Sequence, residues 1–284
     1  MNRQIEKKEK VGLPGQVEAP ADKTRSAQDF TKIAFNKETL ERAKSFLASK
    51  GFSHNWLERL FSDERLERLK YPAPLMEEER RKVKKPKSKE EKEAEYQLYK
   101  KAHDFWVLLQ AGKMTLALYK EAFEKAERET GVPREFIAAI LGIESKYGMV
   151  KPKYPVFNLY LTYVENRPDK IEFALNELAA FLQICRKYGV DPFSVNGSSA
   201  GALLPGQFLP STLRQLDDLP KGASFEELGS LTKSIDMVAR FLAKAGASSR
   251  EGFDIGGKNW KAAWRYNHDD NYARFVMELA KELK

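Results

Sequence analysis

Apolar residues recur at helical spacing through most of the chain, and no run alternates clearly between apolar and polar as a half-buried strand would. Leu40, Ala43, Phe46 and Leu47 mark a first helix, with Gly51 placed to stop it. Ser53 is positioned to cap a second, which carries Trp56, Leu57, Leu60 and Phe61. Tyr71-Pro72-Ala73-Pro74 then interrupts the pattern, and residues 77–95 are nearly all Lys, Arg and Glu. Their mixed signs favour a solvated helix or loop over a nucleic-acid patch. Periodicity resumes with Tyr99, Phe105, Trp106, Leu108 and Leu109 and runs on through Leu116, Leu118, Tyr119 and Phe123. It leads to Gly131-Val132-Pro133, where the proline suits the first position of another helix. Further helices are predicted over 168–188, 225–245 and 269–283, the first two stopped by Gly189 and Gly246. Residues 149–155 and 248–259 read as loops, and 196–212 as a segment studded with glycine and proline. Residues 1–29 are polar, contain Pro14 and Pro20, and read as a disordered arm or linker. The fold class is mainly α, with a helical region over 30–100 that includes the charged segment and a second over 101–284.

One helix in this series carries a conflict. Over 134–147, Phe136, Ile137, Ile140, Leu141, Ile143 and Tyr147 form an apolar face, while Glu135, Gly142 and Lys146 fall opposite. Glu144 lies between Ile140 and Leu141, near the middle of the apolar side. A carboxylate there is costly unless it is paired, hydrogen-bonded or neutral. Desolvation raises its pKa, and an acid that stays protonated near neutral pH is what general-acid chemistry requires. A buried glutamate paired with an arginine or lysine fits the same stripe, so the pattern leaves both readings open.

Composition narrows the field. The 284 residues are 42% hydrophobic and 32% charged, and the apolar runs fall well short of the ~20 residues of a membrane span. The basic N-terminal stretch is followed by no apolar segment, so no signal peptide is expected in this chain. A single cysteine excludes an internal disulfide, and Cys185, among Phe181, Leu182 and Ile184, reads as a core thiol. His54, His103 and His268 are far apart and lack metal-site spacing, so no metal is expected. The net charge of +8 suits an acidic polymer, whether nucleic acid, an anionic membrane surface or an acidic glycan.

Two more segments carry candidate chemistry. In 196–212, Ser198 and Gln207 are isolated polar side chains among glycines and small residues, and glycine allows close approach of a ligand or of a neighbouring chain. In 264–272, Asn267 is placed to cap the last helix, with Asp269 and Asp270 in its first turn. Trp264, Tyr266 and Tyr272 offer flat faces for sugar or base stacking.

Taken in order, Gly142-Ile143-Glu144-Ser145 with Tyr147-Gly148, then Gly197-Ser198, Ala200-Gly201-Ala202 and Gly206-Gln207-Phe208-Leu209-Pro210-Ser211, then Arg265-Tyr266-Asn267-His268 and Tyr272, resemble the membrane-bound lytic transglycosylase B family. Upstream, Gly51-Phe52, Trp56-Leu57 and Phe61-Ser62 look like that family's N-terminal helical part, so the resemblance runs from about Phe30 to the C-terminus. It implies a lysozyme-like helical catalytic domain over 101–284, with an N-terminal helical extension and little or no β structure. It implies cleavage of the MurNAc–GlcNAc β-1,4 bond of peptidoglycan without consuming water, leaving 1,6-anhydroMurNAc ends. Glu144 would act as general acid and then as base. Ser198 would orient the substrate's acetamido group, Gln207 and Asn267 would contact sugar or position the acid, and Ser145, Tyr266 and Tyr272 complete the implied substrate-binding set. The implied partners are peptidoglycan glycan strands, with no nucleic acid, cofactor or metal, acting as a monomer in the periplasm or cell envelope.

The chain departs from that family at three points. Leu204-Pro205 stands where a glycine and an aromatic usually precede the glycine-glutamine pair, which alters the cleft wall. Between Gly246 and Trp264 there is no room for the small β-rich insertion of the best-known members, and Asp217-Asp218 does not make a calcium loop. A lipid-anchoring cysteine and a secretion leader are both lacking in this sequence.

Overall fold

Residues 32–70 and 88–284 are described by the computed structural model. The arm expected over 1–29 and positions 77–87 of the charged segment lie outside them. The chain divides into Met1–Lys32 and Ile33–Lys284, and the described helices all belong to the second unit.

The helix that carries Glu144, Arg134–Ser145, lies at the centre. Four others pack on it: Phe105–Leu118, Lys120–Thr130, Leu231–Lys244 and Asp270–Leu283. Every residue from Phe136 to Leu141 is therefore fully buried. Gly142, expected on a polar face, is buried too, and the reason is local. Lys146, Tyr147 and Gly148 all take positive φ (49°, 60° and 83°), which reverses the chain directly after the helix. The reversal folds the Tyr147 ring back over Gly142 and Gly112, and its hydroxyl donates to the Leu108 carbonyl at 2.9 Å. A Cβ at Gly142 would stand 2.7 Å from the Tyr147 hydroxyl oxygen and 2.8 Å from its ring carbon. Gly142→Ala is thus expected to destabilise the protein by ~1–3 kcal/mol, the usual cost of overpacking. A urea or thermal melt with an unchanged midpoint would refute this account of the turn.

The helices Val156–Asn166 and Ile171–Tyr188 pack against each other and against Lys37–Ser49. Residue 100 lies within the helix Lys89–Ala102, and Ile33–Lys284 clusters as one unit. Ser88 starts that helix with a reciprocal capping box to Glu91, so the described end of the charged segment is a solvated helix. Cys185 is buried and unpaired, and burial pushes its thiol pKa up. Among the described residues no helix is long and apolar enough to cross a membrane.

Four expectations need correction in detail. Tyr154–Pro155, expected as loop, pairs antiparallel with Asn196–Gly197, a two-stranded piece of β structure among described residues that are mainly helical. The helix expected over 225–245 is two, Phe225–Leu228 and Leu231–Lys244, because the Ser230 hydroxyl accepts from the Lys233 N–H and starts a new helix. Lys258–Tyr266 is a further helix where the sequence suggested loop followed by an aromatic cluster. Asn267 is not the cap of the last helix. It ends the preceding one, its N–H bonded to the Ala263 carbonyl, and Asp269 takes the capping role by accepting from the Tyr272 N–H at 2.8 Å.

Candidate active site

Glu144 sits in the last turn of its helix, half-buried, with its carboxylate Oε1 accepting a hydrogen bond from the Tyr272 hydroxyl at 2.6 Å. No lysine or arginine among the described residues pairs with it. The ion-paired reading of Glu144 therefore fails within the described structure. Burial pushes the carboxyl pKa up to about 7, and the Tyr272 bond, which favours the ionised form, only partly offsets this. The group can be an acid or a base near neutral pH, which is the range general-acid chemistry needs.

Its neighbours are phenols. Tyr272 enters from the first turn of Asp270–Leu283, is 2% exposed, and is oriented by the Asp269 cap. Burial, then the nearby Glu144 charge, raises its pKa well above the ordinary value, so it stays a hydrogen-bond donor. Tyr266, at the end of Lys258–Tyr266, is raised by the same two causes. Its hydroxyl donates to the Gly206 carbonyl at 2.5 Å, and its ring rests on Phe241 and Phe208 with centroids 4.8 and 5.8 Å apart. Tyr99, from the distant helix Lys89–Ala102, is raised by burial and then by Asp269 and Glu144. In the sequence Tyr99 is only an apolar helix position. Nothing local distinguishes it, because what makes it a site residue is the packing of its helix near one about 170 residues later.

The glycine-rich segment is held by buried tyrosines. Tyr160 donates to the Gly201 carbonyl at 3.1 Å and Tyr163 to the Ser199 carbonyl at 2.9 Å. Gly201, at φ +78°, passes so close to Tyr160 that a Cβ would stand 2.4 Å from its ring. The Ser198 hydroxyl accepts from the Ala200 and Ala202 N–H groups at 3.3 and 3.1 Å, which closes the turn. Farther along, the Leu203–Phe208 bridge pinches off a small loop in which Leu204 and Gln207 both adopt positive φ. Gln207 donates through Nε2 to the Leu204 carbonyl at 3.0 Å, while its Oε1 makes no bond among the described residues. The buried carboxylate of Glu177 accepts from both the N–H and the hydroxyl of Ser211, which pins the end of this segment to Ile171–Tyr188.

The structure thus brings Glu144 and Tyr272 into contact, and ties Tyr266 to the loop that bears Gln207. Ser145 stands apart from the set implied for it. It is 2% exposed, donates to the Leu141 carbonyl and accepts from the Gly148 N–H at 2.9 Å, so its hydroxyl secures the turn and is closed to a substrate. Asn267 is exposed at the end of its helix.

The chain as a whole has counterparts among known proteins. Residues 34–246 match the transglycosylase SLT domain family. Over 128 residues the chain is 33% identical to membrane-bound lytic murein transglycosylase B of Escherichia coli K12, a match that covers 45% of this chain and 36% of that protein. It therefore spans about a third of that relative's length. Among solved structures, the catenated lytic transglycosylase SltB1 of Pseudomonas aeruginosa aligns with a TM-score of 0.72 at 22% identity, over 88% of this chain and 97% of that one. The Escherichia coli lytic transglycosylase Slt35 in complex with bulgecin A aligns with the same TM-score of 0.72, at 22% identity over 89% and 95%. The helical, lysozyme-like fold expected from the sequence is the fold observed.

Proposed function

The chain belongs to the transglycosylase SLT domain family, and on that premise we propose that it is a lytic transglycosylase that cleaves the MurNAc–GlcNAc β-1,4 bond of peptidoglycan. Glu144 first acts as general acid. Tyr272 occupies Oε1, which leaves Oε2 to carry the proton delivered to the glycosidic oxygen. The resulting carboxylate then takes the proton of the muramoyl C6 hydroxyl, and that oxygen closes on C1. The ring product is 1,6-anhydroMurNAc, no water is consumed, and Glu144 regains its proton for the next cycle.

The observation that carries this reading is a carboxyl with a pKa of about 7, bonded to a phenol and to no described cation. One such group suffices because the nucleophile belongs to the substrate, whereas most glycosidases need two carboxylates. Glu177, a second buried acid, spends both its oxygens on Ser211, which is consistent with a single-acid scheme. Gln207 Oε1 is available to a sugar N–H or hydroxyl. Ser198 acts on the acetamido group chiefly by shaping its turn, since its hydroxyl already accepts two backbone N–H groups. Tyr272 acts from beneath the surface by holding Glu144, Tyr266 shapes the Gln207 loop through its bond to Gly206, and Asn267, next to Tyr266 in the chain, is exposed. A net charge of +8 favours a glycan that bears lactyl and peptide carboxylates. The enzyme would work as a monomer in the periplasm or cell envelope, where that polymer is found.

Mass spectrometry of the soluble products from purified peptidoglycan tests the proposal. Muropeptides lighter than the hydrolytic ones by the mass of one water are expected. Products that retain the water would make the protein a hydrolase, and an absence of products with the protein bound to sacculi would make it a binding module.

A further inference from the structure

The helix Phe105–Leu118 is apolar on both sides, where a surface helix ordinarily keeps one side wet. Phe105, Leu108, Leu109 and Gly112 are buried against the rest of the fold. Trp106, Val107, Met114 and Leu118 are 61–78% exposed. At about 100° per residue these four fall, with Gln110 and Ala117, in an arc of about 120°, and Lys113 borders it. They form a ridge about 20 Å long. Each end of the ridge adjoins a hollow that holds cations. The one at Trp106, about 540 Å³, is lined by Lys100 and Lys101 together with Asp104 and Phe105. The one at Ala117, about 290 Å³, is lined by Lys113, Lys120 and Arg134 together with Glu135. Most acids nearby are taken: Asp104 pairs with Lys146, Glu124 with Lys120 and Arg134, and Glu135 with Arg134. Glu121 is exposed at the far end. Lys101 and Lys113 are exposed and pair with no described acid.

We propose that this ridge moors the protein to the surface of a bilayer that carries anionic phospholipids. An exposed apolar patch of this kind marks a contact with a protein or with a membrane, and two features favour the membrane. The apolar side chains stand on a convex helix, which can sink by the ~5–10 Å typical of interfacial helices into the boundary between headgroups and acyl chains. The unpaired cations are lysines, which are depleted from protein–protein interfaces and drawn to anionic headgroups. The long stem of Lys113 can lie along the apolar surface with its ammonium at headgroup level. Trp106, a flat apolar ring with one N–H donor, suits the same depth. The helix is not long enough to cross a bilayer, so it would lie along it. Gly142 faces Gly112 of this helix across the Tyr147 hydroxyl, and Glu144, two residues on, is turned about 200° from Gly142. Mooring by the ridge therefore leaves the Glu144 side of the molecule open to a polymer.

Sedimentation with lipid vesicles tests this without any substrate, so the outcome is separate from that of the transglycosylase reading. The protein should pellet with vesicles of phosphatidylglycerol and phosphatidylcholine in equal parts, and far less with phosphatidylcholine alone. Met114→Gln combined with Leu118→Gln should weaken binding to the mixed vesicles by about tenfold or more, as loss of buried apolar side chains would. Lys113→Gln should weaken it about fivefold, the share of one lysine near an anionic surface, and that effect should fade in high salt. Lys221→Gln makes the same change of charge at an exposed position outside the ridge and should bind as the wild type does. All these positions are exposed, so the variants should keep the wild-type melting temperature. If Lys221→Gln weakened binding as much as Lys113→Gln, or the double glutamine variant bound like the wild type, the attraction would be one of net charge alone and the proposal would fall. It would fall equally if the protein stayed in solution with both kinds of vesicle, and the ridge would then belong to a partner protein.

Discussion

Glu144→Gln is expected to leave the protein folded and to reduce its turnover of peptidoglycan by at least ~100-fold, the usual contribution of a general acid. The substitution keeps the shape of the side chain and its hydrogen bond from Tyr272 but removes the transferable proton. Its effect on stability separates lost chemistry from lost structure. The Glu144 carboxyl is raised from 4.5 to about 7 by burial. A neutral Glu144 therefore favours the folded state fully below pH 4.5, and that contribution is lost as pH rises to about 7, where the folded protein comes to hold a desolvated charge. The glutamine variant escapes this loss. It should melt at the same temperature as the wild type below about pH 4.5 and at a higher one at about pH 8. A variant that retains near wild-type turnover would remove Glu144 from the mechanism. A variant that melts lower at every pH would show that the glutamate is held in place for structure.

The sequence makes Glu144 conspicuous because helical periodicity is a local property and a carboxylate on an apolar stripe violates it. The same reasoning misjudges Gly142. Its neighbours on the helical wheel place it towards solvent, whereas three successive left-handed residues bring Tyr147 back over it, and no periodicity records such a reversal. Asn267 and Asp269 are both good caps by residue type. What decides between them is the end of the preceding helix, which consumes Asn267 and is itself hidden because Lys258–Tyr266 is short and rich in charge. Ser145 enters the implied site through its position beside Glu144, yet adjacent residues on a helix point about 100° apart and Ser145 faces inward. Tyr99 and the Tyr266–Gly206 bond arise from contacts between remote segments, so they are legible only in three dimensions. Motif order tells which chain segments meet at the site. The roles of individual side chains depend on hydrogen bonds that the order does not encode.

Those hydrogen bonds give the second large expected effect. Tyr272→Phe removes one hydroxyl from a fully packed ring, so the fold should be little changed, but Glu144 loses its only described partner. A hydrogen bond to a charged group contributes ~1.5–3 kcal/mol, which corresponds to a loss of roughly 10–100-fold in kcat if the bond is needed when Glu144 is ionised. The direction of the accompanying pKa change follows from its cause. The Tyr272 bond lowers the Glu144 pKa against the pull of burial, so its removal lets the pKa climb above about 7. The alkaline limb of the pH–rate profile reports loss of the protonated acid and should therefore move to higher pH even as the maximum rate falls. Tyr266→Phe provides the contrast. Tyr266 donates to the Gly206 carbonyl and not to Glu144, so its loss should loosen the Gln207 loop and raise KM while leaving that limb where it was. If Tyr272→Phe were slow with an unmoved alkaline limb, the tyrosine would serve packing alone. The proton affinity of Glu144 would then be set by burial without help from its neighbour. A moved limb with reduced kcat would instead establish the phenol as the group that holds Oε1 and prepares the carboxyl for both halves of the reaction.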